Sequence, residues 1–103
     1  MAFEIEITDA ASEDLDSIFR YIAIELDNVF AARHLVVEIE HRYDLLIEQP
    51  FLYPLSQSPR LAEKGYRKAV ICNFLMLYRV DEEKRKVYII NFYYGGQNCE
   101  KYI

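Results

Sequence analysis

The sequence holds no tryptophan and only three glycines, three prolines and two cysteines in 103 residues. So little glycine and proline excludes a collagen-like or linker-like chain. Cys72 and Cys99 form no CxxC or zinc spacing, so they read as ordinary thiols, with no disulfide framework or metal site expected. No apolar run approaches the roughly 20 residues of a membrane-spanning helix. The acidic opening Met1 to Glu6 lacks the basic and apolar regions of a signal peptide, so the expectation is a cytoplasmic protein without membrane association. Positive charge is also short: twelve Lys/Arg face seventeen Asp/Glu, net −5, which disfavours a uniformly phosphate-binding surface. What remains is 52% hydrophobic and 28% charged, the composition of one compact domain over residues 1–103. A chain of this size buries roughly two thirds of its surface.

The charge is divided along the chain. Residues 1–49 carry twelve carboxylates against three arginines (−9), and residues 50–103 carry nine Lys/Arg against five carboxylates (+4). Any anion site is therefore expected in the second half, with an acidic outer face on the first. Phe3 to Thr8 alternates apolar Phe3, Ile5 and Ile7 with polar neighbours, the pattern of a strand with one buried face. Thr8 or Asp9 then caps a helix expected at about 9–26, whose stripe is Ala11, Leu15, Ile18, Phe19, Ile22 and Leu26. Asp27 and Asn28 break this run and cap a second helix, with Ala32, Leu35, Val36, Ile39, Tyr43, Leu46 and Ile47 as its stripe and Pro50 as its end. So short a connection implies an antiparallel helical hairpin. Pro50 to Gly65 shows no period and reads as the one long loop.

Tyr66 to Cys72, Phe74 to Val80 and Val87 to Tyr94 are rich in β-branched and aromatic residues, as expected of a three-stranded antiparallel meander. Asn73, which tolerates the left-handed conformation, and the polar run Asp81 to Lys86 mark its turns. The last strand is apolar almost throughout, which suits a central place covered on both faces. The expected fold is α+β in the order β-α-α-β-β-β, a helical hairpin on one face of a four-stranded, largely antiparallel sheet. Phe74, Met76, Tyr78 and Val80 would line one face of their strand and Leu75, Leu77 and Arg79 the other. Two helices cover only one face, so a short partner segment is expected on the apolar sheet face or in the groove beside the helical hairpin, with self-association over the same surface when no partner is present.

Three stretches carry a family likeness. Ile7-Thr8-Asp9-Ala10-Ala11 with Asp14-Leu15, Ile18 and Tyr21-Ile22 resembles the first strand and helix of the RelE/ParE superfamily of bacterial toxins. Gly65-Tyr66-Arg67-Lys68, with Asn73-Phe74 and Leu77-Tyr78-Arg79-Val80-Asp81, resembles its central hairpin. Val87-Tyr88-Ile89-Ile90 through Tyr94-Gly95 resembles its last strand and tail. The resemblance implies the toxin of a type II toxin–antitoxin module, of the kind that stabilises plasmids, with a cognate antitoxin protein as partner and no cofactor. RelE-like members cut mRNA on the ribosome; ParE-like members inhibit DNA gyrase.

Metal-free RNA cleavage needs a base, an acid and cations around the phosphate. The candidate catalytic cations, should the chain be a nuclease, are Arg67, Lys68 and Arg79, with Tyr78, Tyr94 or Tyr102 as proton carriers. Against that, the places where RelE-like nucleases hold a further arginine read Leu75 and Met76, and the tail reads Gly96-Gln97 where two arginines are common. The closer likeness is to ParE-like members. Leu75, Leu77, Tyr93, Tyr94 and Tyr102 are then the expected target or antitoxin contacts. An inactivated member that keeps only antitoxin binding is the third reading. The structural alternatives are an exposed or ion-paired strand residue for Arg67 and a snorkelling edge residue for Arg79. His34, Glu38 and His41 share a helix face at i, i+4 and i+7 but lack a completing ligand, so they read as a solvated face and no metal is expected.

Overall fold

The computed structural model describes residues 2–94. Strand β1 (Glu4–Ile7) leads through Thr8 into helix α1 (Asp9–Arg20). The Thr8 hydroxyl accepts the Ala11 N–H at 3.2 Å and donates to the Ile89 carbonyl at 2.8 Å, so one residue caps the helix and ties its start to the sheet. Asn28 does the corresponding work for α2 (Val29–Glu48), accepting the Ala31 N–H at 3.0 Å. A short helix α3 (Pro59–Glu63) follows, then β2 (Tyr66–Ile71), β3 (Phe74–Asp81) and β4 (Lys86–Tyr94).

The sheet order is β1-β4-β3-β2, with β1 parallel to β4 and the other pairs antiparallel. The α+β order and the central place of β4 match the expectation. Ala11, Ile22, Leu35, Ile39 and Leu46 of the helices join Ala69, Ile71, Met76, Tyr78, Val87, Ile89 and Phe92 of the sheet in one core cluster. Phe74 and Val80 pack against it, so the predicted inner face of β3 is the observed one. Leu77 is buried but stands apart from that cluster. It belongs to the other face, where Tyr88 and Ile90 of β4 are half-buried.

Several details differ from the sequence reading. The first helix does not run uniformly to residue 26: Tyr21–Glu25 is π-helical, and the Leu26 N–H reaches back five residues to the Tyr21 carbonyl at 3.0 Å. The wider turn rotates Leu26 out of the stripe and leaves it exposed. Ile7 is likewise exposed at the end of β1. In the β2–β3 turn it is Cys72, not Asn73, that takes the left-handed conformation, at φ 55°. The long loop holds α3, with Pro59 in its first turn, and a bridge between Leu55 and Arg67 that covers the start of the β2 edge. Between Leu77 and Tyr78 the β3–β4 register shifts, and Ile90 has no opposite number.

Candidate functional site

The π-helical turn has a consequence for the surface. Ile22 is buried while Tyr21 and Leu26 open outwards, and together with Ile18, Ala31 and Leu35 they form one wall of a cavity of about 580 Å³. The other wall is the end of the sheet: Cys72, Asn73, Phe74 and Tyr94. Phe74 and Tyr94 are cross-strand partners, with rings edge-on at 6.1 Å. Among the described residues the lining holds no Asp, Glu, Lys or Arg. Its polar groups include Asn73 Oδ1, which is buried without a hydrogen-bond partner among the described residues. Ile24, Val29 and Phe30 (79% exposed) lie at the same end of the helical hairpin. An apolar segment that also donates one hydrogen bond would fill this groove.

The sheet separates the three candidate cations. Neighbouring strand residues point to opposite faces. Arg67 lies opposite Tyr78 and so shares the helix-covered face. Its Nη1 donates to the Tyr53 carbonyl at 2.7 Å and its guanidinium stacks 4.9 Å from the Phe51 ring centre. Lys68 and Arg79 lie on the other face as diagonal neighbours, Lys68 opposite Leu77 and Arg79 opposite Tyr66. The Arg79 guanidinium sits 5.0 Å above Tyr88. Leu75, Leu77 and Tyr93 share that face, with Leu75 opposite Tyr93. Tyr94 belongs instead to the groove, and Tyr102, Gly96 and Gln97 lie outside the described residues.

Tyr78 is wholly buried. Its hydroxyl donates to the Pro50 carbonyl at 3.1 Å and accepts the Tyr53 N–H at 3.4 Å. Burial pushes the phenol up to about 12, so it neither reaches a substrate nor exchanges a proton near neutrality. On α2, Glu38 faces Arg42 at 3.7 Å. Among the described residues no group of three or more His, Cys, Asp or Glu is placed to hold a metal, and no helix is long and apolar enough to cross a membrane.

Two sets of surface residues were not picked out from the sequence. One is the groove wall made by Tyr21 and Leu26, which a regular helix would have presented differently. The other is Phe51, Leu52 and Leu55, all exposed on the loop after α2. Four large apolar residues in the five from Phe51 to Leu55 were a readable signal, since connecting loops are ordinarily polar.

Residues 5–98 match the family model described as the ParE toxin of the type II toxin–antitoxin system parDE. The chain belongs to the ParE toxin family. Two solved structures share its fold. A chain of the RelBE2 toxin–antitoxin complex from Mycobacterium tuberculosis superposes with a TM-score of 0.65 at 19% identity, covering 91% of this chain and 99% of that one. A chain of the chromosomal ParDE system from P. aeruginosa superposes at 0.69 with 20% identity, covering 90% and 96%. No curated protein matches the sequence significantly. Membership of the ParE family makes this chain a type II toxin–antitoxin toxin of the ParE/RelE superfamily.

Proposed function

We propose that this ParE-family protein arrests growth by binding and inhibiting DNA gyrase, and that its cognate antitoxin neutralises it by laying an apolar segment in the groove between the helical hairpin and the sheet end. The observation that carries the first part is the burial of Tyr78 together with the engagement of Arg67. The hairpin tyrosine has both hydrogen bonds satisfied inside the protein, and the hairpin arginine holds a main-chain carbonyl and an aromatic ring. Lys68 and Arg79 lie on the far face, apart from both Tyr78 and Arg67, and Arg79 stacks on Tyr88 there. Losing one preorganised donor to a developing charge typically costs about 100- to 1,000-fold in rate, so a nuclease built on these residues would turn over very slowly. A surface that only binds another protein needs none of this chemistry.

Tyr94, on the groove wall, is then an antitoxin contact, and Leu75 and Tyr93 form a second patch for a partner on the open sheet face, whose Leu77 is already buried within the protein. The antitoxin reading draws on the two similar structures, both of toxin–antitoxin systems, and on the apolar lining of the groove. The direct test is in-vitro translation with mapping of ribosome-bound mRNA ends. The expected result is intact mRNA at toxin concentrations that arrest growth. Codon-specific cuts that vanish in Arg79→Ala would favour the RelE-like reading instead. A chain that neither cuts mRNA nor arrests growth, yet binds its antitoxin, would be an inactivated member of the family.

A further inference from the structure

Helix α2 has twenty residues, so at 1.5 Å per residue its two ends are about 30 Å apart. The groove lies at its N-terminal end. At its C-terminal end the chain turns at Pro50 into the loop that presents Phe51 at 47% exposure and Leu52 and Leu55 at 44% each. This loop is held unusually firmly for an exposed segment. Tyr78 takes the Pro50 carbonyl and the Tyr53 N–H, and Arg67 takes the Tyr53 carbonyl and stacks on Phe51. The Lys68 N–H donates to the Pro54 carbonyl at 3.1 Å, and the Ser56 N–H to the Tyr66 carbonyl at 2.9 Å. Apolar side chains exposed on a backbone that is already ordered lose little freedom when a partner covers them, which is the condition for an efficient contact.

The charge around the loop is net positive, even counting Glu48 just before it. From Pro50 to Lys68 there are four cations (Arg60, Lys64, Arg67, Lys68) and one carboxylate, Glu63, whereas the first half of the chain is at −9. We infer that the clamped loop Phe51–Leu55 is the surface with which the toxin grips its protein target, and that its counterpart is an apolar patch rimmed by acidic residues. This rests on the proposed inhibition of a protein target and adds where the contact lies. Nucleic acid is the poorer occupant, because the centre of the patch is leucine and phenylalanine and Arg67 is spent on the loop itself. Hot-spot residues cluster at such apolar centres inside a polar rim. The placement leaves the groove free at the other end of α2, so antitoxin and target meet different surfaces.

The test replaces Leu52 and Leu55 together by aspartate, which keeps the backbone clamp and puts like charge against an acidic rim. The control is Val37→Asp, an exposed apolar residue on the outer side of α2. Folding is checked by circular dichroism and thermal unfolding. Inhibition is read from supercoiling by purified DNA gyrase and from growth after induction. The expected result is a rise of about tenfold or more in the toxin concentration for half inhibition, and relief of growth arrest, with Val37→Asp unchanged. A folded double variant that inhibits like the parent overturns the loop assignment and leaves the gyrase reading standing. A parent that leaves gyrase untouched overturns both. A parent that self-associates in sedimentation, with a monomeric double variant of unchanged potency, assigns the loop to a second copy of the chain and also overturns the proposal.

Discussion

At the scale of single residues, Tyr78 and Arg67, neighbours on one face of the sheet, together hold the main chain of the loop after α2 at Pro50 and Tyr53. Removing the Tyr78 hydroxyl in Tyr78→Phe leaves a buried Pro50 carbonyl and the Tyr53 N–H with less than they had, so a loss of about 1–3 kcal/mol is expected in denaturant unfolding. Arg67→Lys is expected to fail as a substitute, because a compact ammonium cannot stack flat on Phe51 while donating to the Tyr53 carbonyl. Its melting temperature should fall close to that of Arg67→Ala. The phenols give a further prediction. Burial pushes both Tyr43 and Tyr78 from 10 up to about 12. In the unfolded chain they ionise near 10, so stability is intact below that pH and declines between about 10 and 12 as the unfolded state releases protons first. Thermal melts over this range should fall steeply, and Tyr78→Phe should blunt the fall. Arg67 was visible in the sequence as a candidate, but its partner was not: the acceptor is a backbone carbonyl fourteen residues earlier, in a stretch without period.

Elements show the same division between local and distant causes. The caps at Thr8 and Asn28 could be read because each acts within three residues of itself. The strands could be read because alternation is a local pattern, and the inner face of β3 followed from it. The π-helical turn could not, since five residues of ordinary helix-forming sequence do not reveal a wider turn. Nor could the role of Asp14. Beyond Ile7 the strand β1 ends, and the Asp14 carboxylate of α1 takes over the edge of β4, accepting the Phe92 N–H at 3.0 Å and the Asn91 amide at 3.2 Å. Asp14→Ala is expected to cost about 1–3 kcal/mol and to speed amide exchange at Phe92 in particular. Unchanged exchange there would mean that the carboxylate does not guard the edge. Thr8→Ala is expected to cost about 1–2 kcal/mol, at the high end for a cap because the hydroxyl also holds Ile89.

For the whole molecule, the arrangement is of two apolar surfaces at opposite ends of one long helix, with a sheet whose cations are divided between its faces. The groove end carries Tyr21, Leu26 and Phe30, and the loop end Phe51, Leu52 and Leu55. Such a division suits a protein whose work is to be held by one partner and to hold another. It predicts that Tyr21→Asp with Leu26→Asp weakens capture of the toxin by a co-expressed antitoxin by about tenfold or more in pull-down titrations, while growth arrest by the free toxin persists. The charge division was legible from composition; the split of Arg67 from Lys68 and Arg79 required only the parity of a strand, yet which face the helices cover had to come from the fold. As proposed above, the toxin acts by binding and inhibiting DNA gyrase and not by cutting RNA. The most direct measurement is supercoiling of relaxed plasmid by purified DNA gyrase, titrated with the full-length toxin. The predicted result is supercoiling that falls as toxin is added and recovers on adding the antitoxin. Undiminished supercoiling at a large molar excess of folded toxin would contradict it.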